Sequence, residues 1–236
     1  MLESLKNKRI LIVAAHPDDE LLGLGATMHK LINNYHVQTH VVIIGEGITS
    51  RSMKRDIKKA RQSIDKLKKN IKKAQSIIGY HSVSTYDLPD NRFDSVDLLD
   101  IIKIIEKEKQ KFLPEIIFTH HGGDLNIDHQ RTFEAVITAC RPMKEEKVKK
   151  IISFETPSST EWQASNDFRQ FVPNLFISIS NENLDAKIKA MECYELERRS
   201  YPHPRSPEAL KIQAQRWGVA TGNDFAEAFR LIQDIS

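Results

Sequence analysis

The stretch from Ile10 to His29, ILIVAAHPDDELLGLGATMH, constrains the fold of this chain more than any other. It begins with six consecutive apolar residues, which stop abruptly at the polar segment 16–20, and apolar residues at helical spacing follow. A short apolar run bounded by a turn predicts a buried strand, and the later spacing predicts a helix. Pro17 suits the first turn of that helix, because its missing N–H costs nothing there. We therefore expect a strand, a tight turn and a helix, with His16 at the carboxyl end of the strand.

The polar residues of this turn are suited to holding a metal ion. His16 and Asp19 are an imidazole and a carboxylate three positions apart, and across such a turn they can converge on one divalent cation. Asp18 projects in a different direction and stays free to transfer a proton. Carboxylates at a helix start also serve as caps, which accounts for residues 18–20 but not for a histidine at the end of a strand. The pattern favours a metal site that needs a third ligand from elsewhere.

Length and composition indicate one large domain. The 236 residues contain no linker rich in proline, glycine or serine, so residues 1–236 are predicted to fold as a single domain. A net charge of +3, from 35 basic and 32 acidic side chains, is too balanced to indicate a nucleic-acid partner. The two cysteines lack metal-binding spacing, and no signal peptide or apolar run long enough to cross a bilayer is visible. These features favour a cytoplasmic protein with no transmembrane segment.

Strand-like and helix-like segments alternate along the chain. Beyond the first strand and helix, strands are predicted at 36–44, 82–88, 115–119, 148–154 and 174–179, and helices at 53–79, 95–111, 130–140, 183–199 and 225–235, with a further helix that Ser206 caps and Pro207 begins. This alternation predicts an α/β fold, with a mostly parallel central sheet and helices on both faces. The 53–79 helix has a lysine-rich surface without interleaved aromatic residues, which is typical of a solvated face rather than a nucleic-acid track.

A second polar segment follows the predicted strand at 115–119. It reads HHGGDLNIDH over residues 120–129, and His129 stands at the start of a helix. Because ligands gather at the carboxyl ends of parallel strands, His129 is expected at the same sheet edge as His16. His16, Asp19 and His129 then make the two-histidine, one-carboxylate ligand set of open catalytic zinc sites, which leaves a position for water.

Two motifs carry a resemblance to a known family. The segments AHPDDE (15–20) and DLNIDH (124–129) resemble those of the PIG-L/LmbE-like zinc-dependent N-deacetylases, which remove acyl groups from amino sugars and have a Rossmann-like fold. The resemblance implies zinc on His16, Asp19 and His129, with Asp18 as general base and Asp128 as a supporting acid.

The chain departs from the family pattern at Asn126, where several members carry a histidine. An asparagine can donate a hydrogen bond to an oxyanion, but it cannot deliver a proton. We therefore expect His203, between two prolines in YPHPRS, to fold over the metal edge as oxyanion donor or general acid. If Asp18 instead returns its proton to the departing amine, His203 is structural.

Three more residues are expected to bind substrate. Arg51 follows a glycine loop after the second strand, and Asp90 follows the third strand, so both should line the mouth of the pocket. The arginine would face a phosphate or hydroxyl group, and the carboxylate would bind sugar hydroxyls. Arg205 would assist in binding a substrate phosphate or carboxylate.

These observations predict a metal-dependent amidohydrolase acting on an N-acylated amino sugar, either a small molecule or a glycan precursor. An oxidoreductase is the first alternative, because Gly23, Gly25 and Glu46 form a degenerate dinucleotide fingerprint. Two features argue against this alternative. A bound pyrophosphate would face the three carboxylates of residues 18–20, and Met28 occupies the place of the third glycine of the fingerprint. The second alternative is a carbohydrate-binding protein that has the same fold but no catalytic activity. The complete set of candidate metal ligands argues against it. The sequence leaves the sugar, the acyl group, the metal used in the cell and the oligomeric state open, a homo-oligomer included.

Overall fold

One seven-stranded sheet forms the centre of the protein in the computed structural model, which describes residues 2–235. Its strands are β1 (Arg9–Ala14), β2 (Gln38–Gly45), β3 (Ser82–Leu88), β4 (Ile116–His120), β5 (Lys150–Phe154), β6 (Leu175–Ile179) and β7 (Phe225–Asp234). Their order across the sheet is β3-β2-β1-β4-β5-β7-β6. Strands β1 to β5 pair in parallel, and β7 runs antiparallel to both β5 and β6. The predicted α/β class with a mostly parallel sheet is confirmed.

Helices cover both faces of this sheet. They are α1 (Asp19–Leu22), α2 (Gly25–Tyr35), α3 (Ile57–Ile78), α4 (Leu98–Phe112), α5 (Ile127–Ala139), α6 (Asn181–Glu192) and α7 (Pro207–Thr221). On β1, Ile10 and Ile12 pack into the core beneath α2, α3 and α6, whereas Leu11 and Val13 pack into the core beneath α4 and α5. A strand that is buried on both faces needs apolar side chains at every position, which accounts for the apolar run in the sequence.

The predicted final helix at 225–235 is wrong, because this segment is strand β7. Its sequence, FAEAFRLIQD, contains several good helix formers, yet both edges of the segment are paired, with Phe229 opposite Phe154 of β5 and Leu175 of β6. Sheet pairing on both sides and burial of Phe229 outweigh a local helix preference of a few tenths of a kcal/mol per residue, as is common at such sites.

The predicted first helix is interrupted. Helix α1 ends at Leu22 and α2 begins at Gly25. A Cβ atom on Gly23 would lie 2.2 Å from Phe154 Cδ2, so the close approach of this turn to β5 requires a glycine.

Two other helix boundaries differ from the predicted ones. The long helix α3 begins at Ile57 rather than at 53, where the Asp56 carboxylate accepts the N–H of Lys59 as an N-cap. Helix α6 ends at Glu192 rather than at 199, and the segment 193–206 is a loop that leads to α7. This loop carries Glu197, His203 and Arg205 towards the carboxyl edge of the sheet. Within residues 2–235, none of the helices has the length and apolarity needed to cross a bilayer.

Candidate metal centre

The site lies where the strand order of the sheet reverses. β1 and β4 are adjacent and parallel, and the chain leaves them in opposite directions, towards β2 on one side and β5 on the other. Such a reversal opens a crevice at the carboxyl ends of the strands. His16 lies in the turn after β1, and His129 lies in the first turn of α5, which follows β4. The topology therefore brings together two motifs that are more than a hundred residues apart in sequence.

Three side chains converge there with the spacing of metal ligands. Asp19 Oδ2 lies 3.4 Å from His16 Nδ1 and 3.4 Å from His129 Nε2. For bonds of about 2.0–2.1 Å, the edge of a tetrahedral zinc site is about 3.3–3.4 Å long. The three ligand atoms all lie within 4.8 Å of one another. The sequence-predicted set is thus assembled with separations that fit a tetrahedral ion.

The buried nitrogens of His129 also fit a metal. Neither ring nitrogen makes a hydrogen bond of good geometry to any residue within 2–235, although both are inaccessible to solvent. The Asp19 carboxylate lies 3.4 Å from Nε2, so this nitrogen has the position of a ligand atom beside a second ligand atom. The residues present therefore fit a bound divalent cation.

A carboxylate lies behind each candidate histidine ligand. Asp128 Oδ2 is 2.8 Å from His16 Nε2, and Asp124 Oδ1 is 3.0 Å from His129 Nδ1. In both rings the nitrogen beside this carboxylate is the one that faces away from Asp19. Such carboxylates orient the ring, select its tautomer and make it a better ligand.

Both supporting carboxylates are themselves fixed in place. Asp128 accepts the backbone N–H groups of Asn91 and Phe93 at 2.6 and 2.8 Å. Because these bonds and His16 already use its oxygens, Asp128 is better suited to support than to ligation, although it also lies close to His16 and Asp90. Asp124 is buried and accepts hydrogen bonds from the hydroxyl groups of Ser159 and Thr160.

The charges of the cluster shift the titration of its members. Burial alone raises the pKa of Asp19, yet the neighbouring His129 and His120 hold it well below its usual range. Burial lowers the pKa of His129, but Asp124 and Asp19 outweigh this effect and raise it to about 9. For His16, burial likewise acts downward, while Asp128 and Asp19 raise its pKa well above the ordinary value. Without a metal, the carboxylates thus favour protonated imidazoles.

His120 completes the packing beneath the ligands. Its ring stacks on that of His129 at a centroid distance of 3.9 Å, and it lies 4.8 Å from the Phe154 ring. Its Nε2 accepts the N–H of Ala15, and its Nδ1 is 3.0 Å from Thr156 Oγ1. Both nitrogens are therefore occupied, and His120 supports the site rather than binding an ion.

Asp18 lies beside the ligands in a strained conformation. Its φ of 106° is in the left-handed region, which a non-glycine residue adopts at a cost of about 1–3 kcal/mol. The residue is 1% exposed, and its Oδ2 accepts a hydrogen bond from Arg205 Nη1 at 2.9 Å. Burial raises the pKa of Asp18 well above its ordinary value, although Arg205 acts in the opposite direction.

A cavity of about 280 Å³ opens over this cluster. Eight of the ten residues predicted from the sequence line it, and the other two, Asp19 and Asp128, lie buried beneath it. Among the lining residues, Arg51 and Asp90 already have partners. Arg51 donates to Glu197, and Asp90 accepts from the backbone and hydroxyl groups of Ser50.

His203 reaches the cavity on the loop after α6. Its Nδ1 accepts the backbone N–H of Arg205 at 3.1 Å, which places the proton of the neutral ring on Nε2. Burial, together with Arg205 and Arg199, lowers its pKa. Its ring lies 5.8 Å from that of Trp162 in an edge-to-face arrangement. A neutral His203 is a hydrogen-bond donor at the cavity wall.

Asn126 caps helix α5 as well as lining the cavity. Its Oδ1 accepts the N–H of Asp128 at 2.8 Å, and its Nδ2 donates to Asn91 Oδ1 at 3.0 Å. One N–H of the amide is left for a ligand.

Two acidic residues of the site, Glu197 and Asp124, were not predicted to have a role there. Glu197 bridges Arg51 and Arg205, and nothing in its local sequence, ELERRS, distinguishes it from a surface acid. Asp124 begins the second motif, but the motif alone predicted no role for it. Its position five residues before His129, at the other end of a turn that leads into a helix, was the available signal.

Comparison with known proteins places these features in a family. Among the relatives is an uncharacterized deacetylase of Escherichia coli K12, YaiS, which is 29% identical over 193 residues covering 79% of this chain and 90% of that protein. The N,N′-diacetylchitobiose deacetylase of Pyrococcus horikoshii has a similar structure, with a TM-score of 0.74, 17% identity and coverage of 96% of this chain and 84% of that one.

The same fold also occurs with another chemistry. The 4-carboxy-2-hydroxymuconate hydratase GalB of Pseudomonas putida KT2440 matches with a TM-score of 0.70 at 20% identity, over 97% of this chain and 98% of that one. Structural likeness at this identity therefore shows the fold alone. The family model described as PIG-L, GlcNAc-PI de-N-acetylase, matches residues 11–140, more than half of the chain and the part that contains both motifs. The chain belongs to the PIG-L family.

Proposed function

We propose that this protein is a zinc-dependent hydrolase that removes an N-acyl group, in the first instance acetyl, from an amino sugar or sugar conjugate. The convergence of His16, Asp19 and His129 at tetrahedral separations, with Asp18 beside them, carries the proposal. Membership of the PIG-L family supports it, as does the similarity to the two deacetylases described above.

Bound at these three side chains, zinc would supply a water that ionises near neutral pH and would polarise the amide carbonyl. Asp18 is the residue placed to accept the proton of the attacking water. Burial raises its pKa, which makes it a stronger base than an ordinary aspartate, and the Arg205 cation beside it favours the ionised form. The same carboxyl group can return the proton to the departing amine.

The cavity wall supplies donors for the developing oxyanion. Nε2 of His203 carries a proton because Nδ1 accepts from Arg205, and the free amide N–H of Asn126 offers a second donor. Hydrogen-bond donors that are already in position stabilise the oxyanion of the transition state, because no side chain or water has to reorient during the reaction. We assign His203 to oxyanion donation rather than to acid catalysis, because its lowered pKa disfavours the protonated ring.

The dinucleotide alternative fits this geometry poorly. Glu46, which would have to bind a ribose, accepts the backbone N–H groups of Ile48 and Thr49 at 2.9 and 3.1 Å. The turn at Gly23 is packed against the Phe154 ring, which leaves no space for a pyrophosphate. Neither group is free for a nucleotide.

The test is acetate release by the zinc-loaded protein from N-acetylglucosamine and N,N′-diacetylchitobiose. We expect release by the parent protein, and expect His129→Ala to lose both stoichiometric zinc and activity. Asp18→Asn should keep zinc and lose at least ~100-fold in turnover. Full zinc occupancy in His129→Ala would contradict the ligand set. If the zinc-loaded parent protein releases no acetate from any N-acetyl sugar, the proposed deacetylase activity is contradicted. A hydratase activity like that of GalB would then be the next one to test.

A further inference from the structure

The turn that carries the candidate general base has an unusual backbone conformation. Asp18 has φ 106° and ψ −25°, in the left-handed region, although it is not a glycine. A non-glycine residue keeps such a conformation only where its surroundings determine it through several contacts. In this conformation the Asp18 carboxylate reaches Arg205 and the cavity over the metal cluster. The contacts that hold the backbone of Asp18 therefore also hold the proposed base in place.

One of these contacts is made by the side chain of Glu20. Its Oε2 accepts the backbone N–H of Asp18 at 2.9 Å, while the carbonyl oxygen of Asp18 accepts the N–H groups of Leu21 and Leu22 at 2.9 Å each. The N–H belongs to the peptide plane before Asp18, and the carbonyl belongs to the plane after it. Because φ and ψ are the angles between these two planes, Glu20 and the start of α1 together fix the conformation of Asp18.

Tyr194 in turn fixes the side chain of Glu20. Its hydroxyl group donates to Glu20 Oε1 at 2.6 Å, so each oxygen of this carboxyl group has one of the two partners. Tyr194 follows the end of α6, is 0% exposed and packs within the larger core cluster. Glu20 is also buried, and a buried carboxyl oxygen needs a donor. Without the Tyr194 hydroxyl, a rotation of Glu20 towards another donor would release the N–H of Asp18.

A second buried tyrosine contacts the same residue at a different atom. The hydroxyl group of Tyr80 donates to the backbone carbonyl oxygen of Glu20 at 2.8 Å. This bond holds the main chain after Glu20, whereas the bond from Tyr194 holds the carboxyl group that accepts from Asp18. The two tyrosines therefore distinguish general support of the turn from control of the Asp18 backbone.

We infer that Tyr194 is a positioning residue for the reaction. Through the carboxyl group of Glu20, its hydroxyl holds Asp18 in the left-handed conformation that places the base beside the metal cluster. This inference rests on the proposed function for the role of Asp18 as general base. A tyrosine that only fills the core would affect stability when its hydroxyl is removed, but it would have no specific effect on turnover.

Removal of single hydroxyl groups tests the inference. Tyr194→Phe keeps the ring and its packing. With zinc-loaded protein and the better of N-acetylglucosamine and N,N′-diacetylchitobiose, we expect its kcat to fall by ~10- to 100-fold, the range for a catalytic group displaced by up to about 1 Å. KM and zinc content should stay at the parental values, because Tyr194→Phe changes neither a candidate ligand nor a residue that lines the metal cavity.

Tyr80→Phe is the matched control, since it also removes one buried hydroxyl group that contacts Glu20. It should lower the Tm by a similar amount and keep the parental kcat. With an active parent protein, a parental kcat in Tyr194→Phe would overturn the inference and leave the proposed function intact.

A double-mutant cycle distinguishes action through Glu20 from a separate effect on the core. Glu20→Met keeps the approximate volume but cannot accept the N–H of Asp18, so kcat should fall at least as far as in Tyr194→Phe. Adding Tyr194→Phe to Glu20→Met should cause no further loss, because the acceptor through which Tyr194 acts is then absent. The double variant replaces both buried partners by apolar groups, so it remains informative if Tyr194→Phe alone does not fold. A further loss of kcat in the double variant would overturn the inference.

Backbone amide exchange gives a readout that is independent of activity. In metal-free protein studied by NMR, the N–H of Asp18 should exchange at least ~10-fold faster in Tyr194→Phe than in the parent, and at the parental rate in Tyr80→Phe. A parent protein that releases no acetate would contradict the proposed function, and the exchange rates would still show whether Tyr194 holds Asp18. Parental exchange of the Asp18 N–H in Tyr194→Phe would overturn the inference whatever the activity.

Discussion

Arg205 holds Asp18 and Glu197 with the same nitrogen, Nη1, which lies 2.9 Å from Asp18 Oδ2 and 3.0 Å from Glu197 Oε2. Arg205 was expected from the sequence to face a substrate anion. In the structure its cation is instead engaged with the residue proposed as general base. We propose that Arg205 is a positioning residue that acts on the reaction through Asp18, while its binding of a substrate anion stays a prediction.

Removing this cation should change the pH dependence of turnover. Arg205 lowers the pKa of Asp18 against the upward effect of burial, so Arg205→Met should raise that pKa further. Because the base acts when it is ionised, the acidic limb of the pH–rate profile should move to higher pH. Arg51→Met is the matched control, since Arg51 contacts Glu197 but not Asp18. An acidic limb that stays in place in Arg205→Met would show that Asp18 does not set it.

The carboxylate of Asp124 should tune zinc affinity. Asp124 Oδ1 lies 3.0 Å from the nitrogen of His129 that faces away from the metal position. Asp124→Asn keeps the shape and removes the charge, and we expect zinc affinity to fall by roughly 10- to 100-fold with the fold retained. Chelator competition measures the affinity, and Asp167→Asn, at a carboxylate that pairs with Arg169, is the control. Equal zinc affinity in Asp124→Asn and the parent would assign Asp124 a purely structural role.

The metal-free protein should lose stability as the pH rises. The pKa of His129 is raised to about 9 in the folded chain, compared with about 6.5 in an unfolded one. Stabilisation from the protonated ring is therefore complete below about pH 6.5 and is lost as the pH rises through about 9. We expect the Tm of the metal-free protein to decrease as the pH is raised from about 6.5 to about 9.

With zinc bound, the Tm should instead increase as the pH rises over this interval. Protons compete with the metal for His129, so zinc affinity should rise over the same pH interval. Calorimetric melting of zinc-loaded and metal-free protein at matched pH tests both statements. A metal-free Tm that rises from pH 6.5 to pH 9 would contradict the charge balance described for the site.

His203 should act through its Nε2–H. His203→Ala should keep zinc and fold and lower turnover by roughly 100-fold, the scale of losing one oxyanion donor. His203→Gln retains a donor N–H and should recover part of this loss. Because the lowered pKa leaves the ring neutral, neither variant should remove a basic limb from the pH–rate profile. Full turnover in His203→Ala would show that His203 is only a structural residue of a rigid turn. Loss of the basic limb from the pH–rate profile would show that it is the general acid.

The convergence of the three candidate ligands was predictable because each of them lies next to the end of a strand. His16 and Asp19 are three residues apart at a strand end, and His129 begins a helix after another strand, so the strand-end rule for parallel sheets was enough to bring them together. The partners of Arg51 and Arg205 were not predictable, because Glu197 reaches them only through the path of a loop that the sequence pattern assigned to a helix.

Strand β7 was missed for a related reason. The segment has local helix propensity, and only the free edges of β5 and β6, which are formed by distant parts of the chain, make it a strand. The sequence of residues 225–234 itself therefore gives no indication that two strand edges are available to pair with it.

The contact between Gly23 and Phe154 has a consequence for how this protein tolerates mutation. A methyl group on Gly23 would overlap the Phe154 ring, which rests on His120, which in turn stacks on His129. Any shift of the phenyl ring would pass through two stacked imidazoles to a metal ligand, because a densely packed interior transmits displacements rather than absorbing them. Substitution of Gly23 is therefore expected to disturb the alignment of His129, although the two residues are more than a hundred positions apart in the chain.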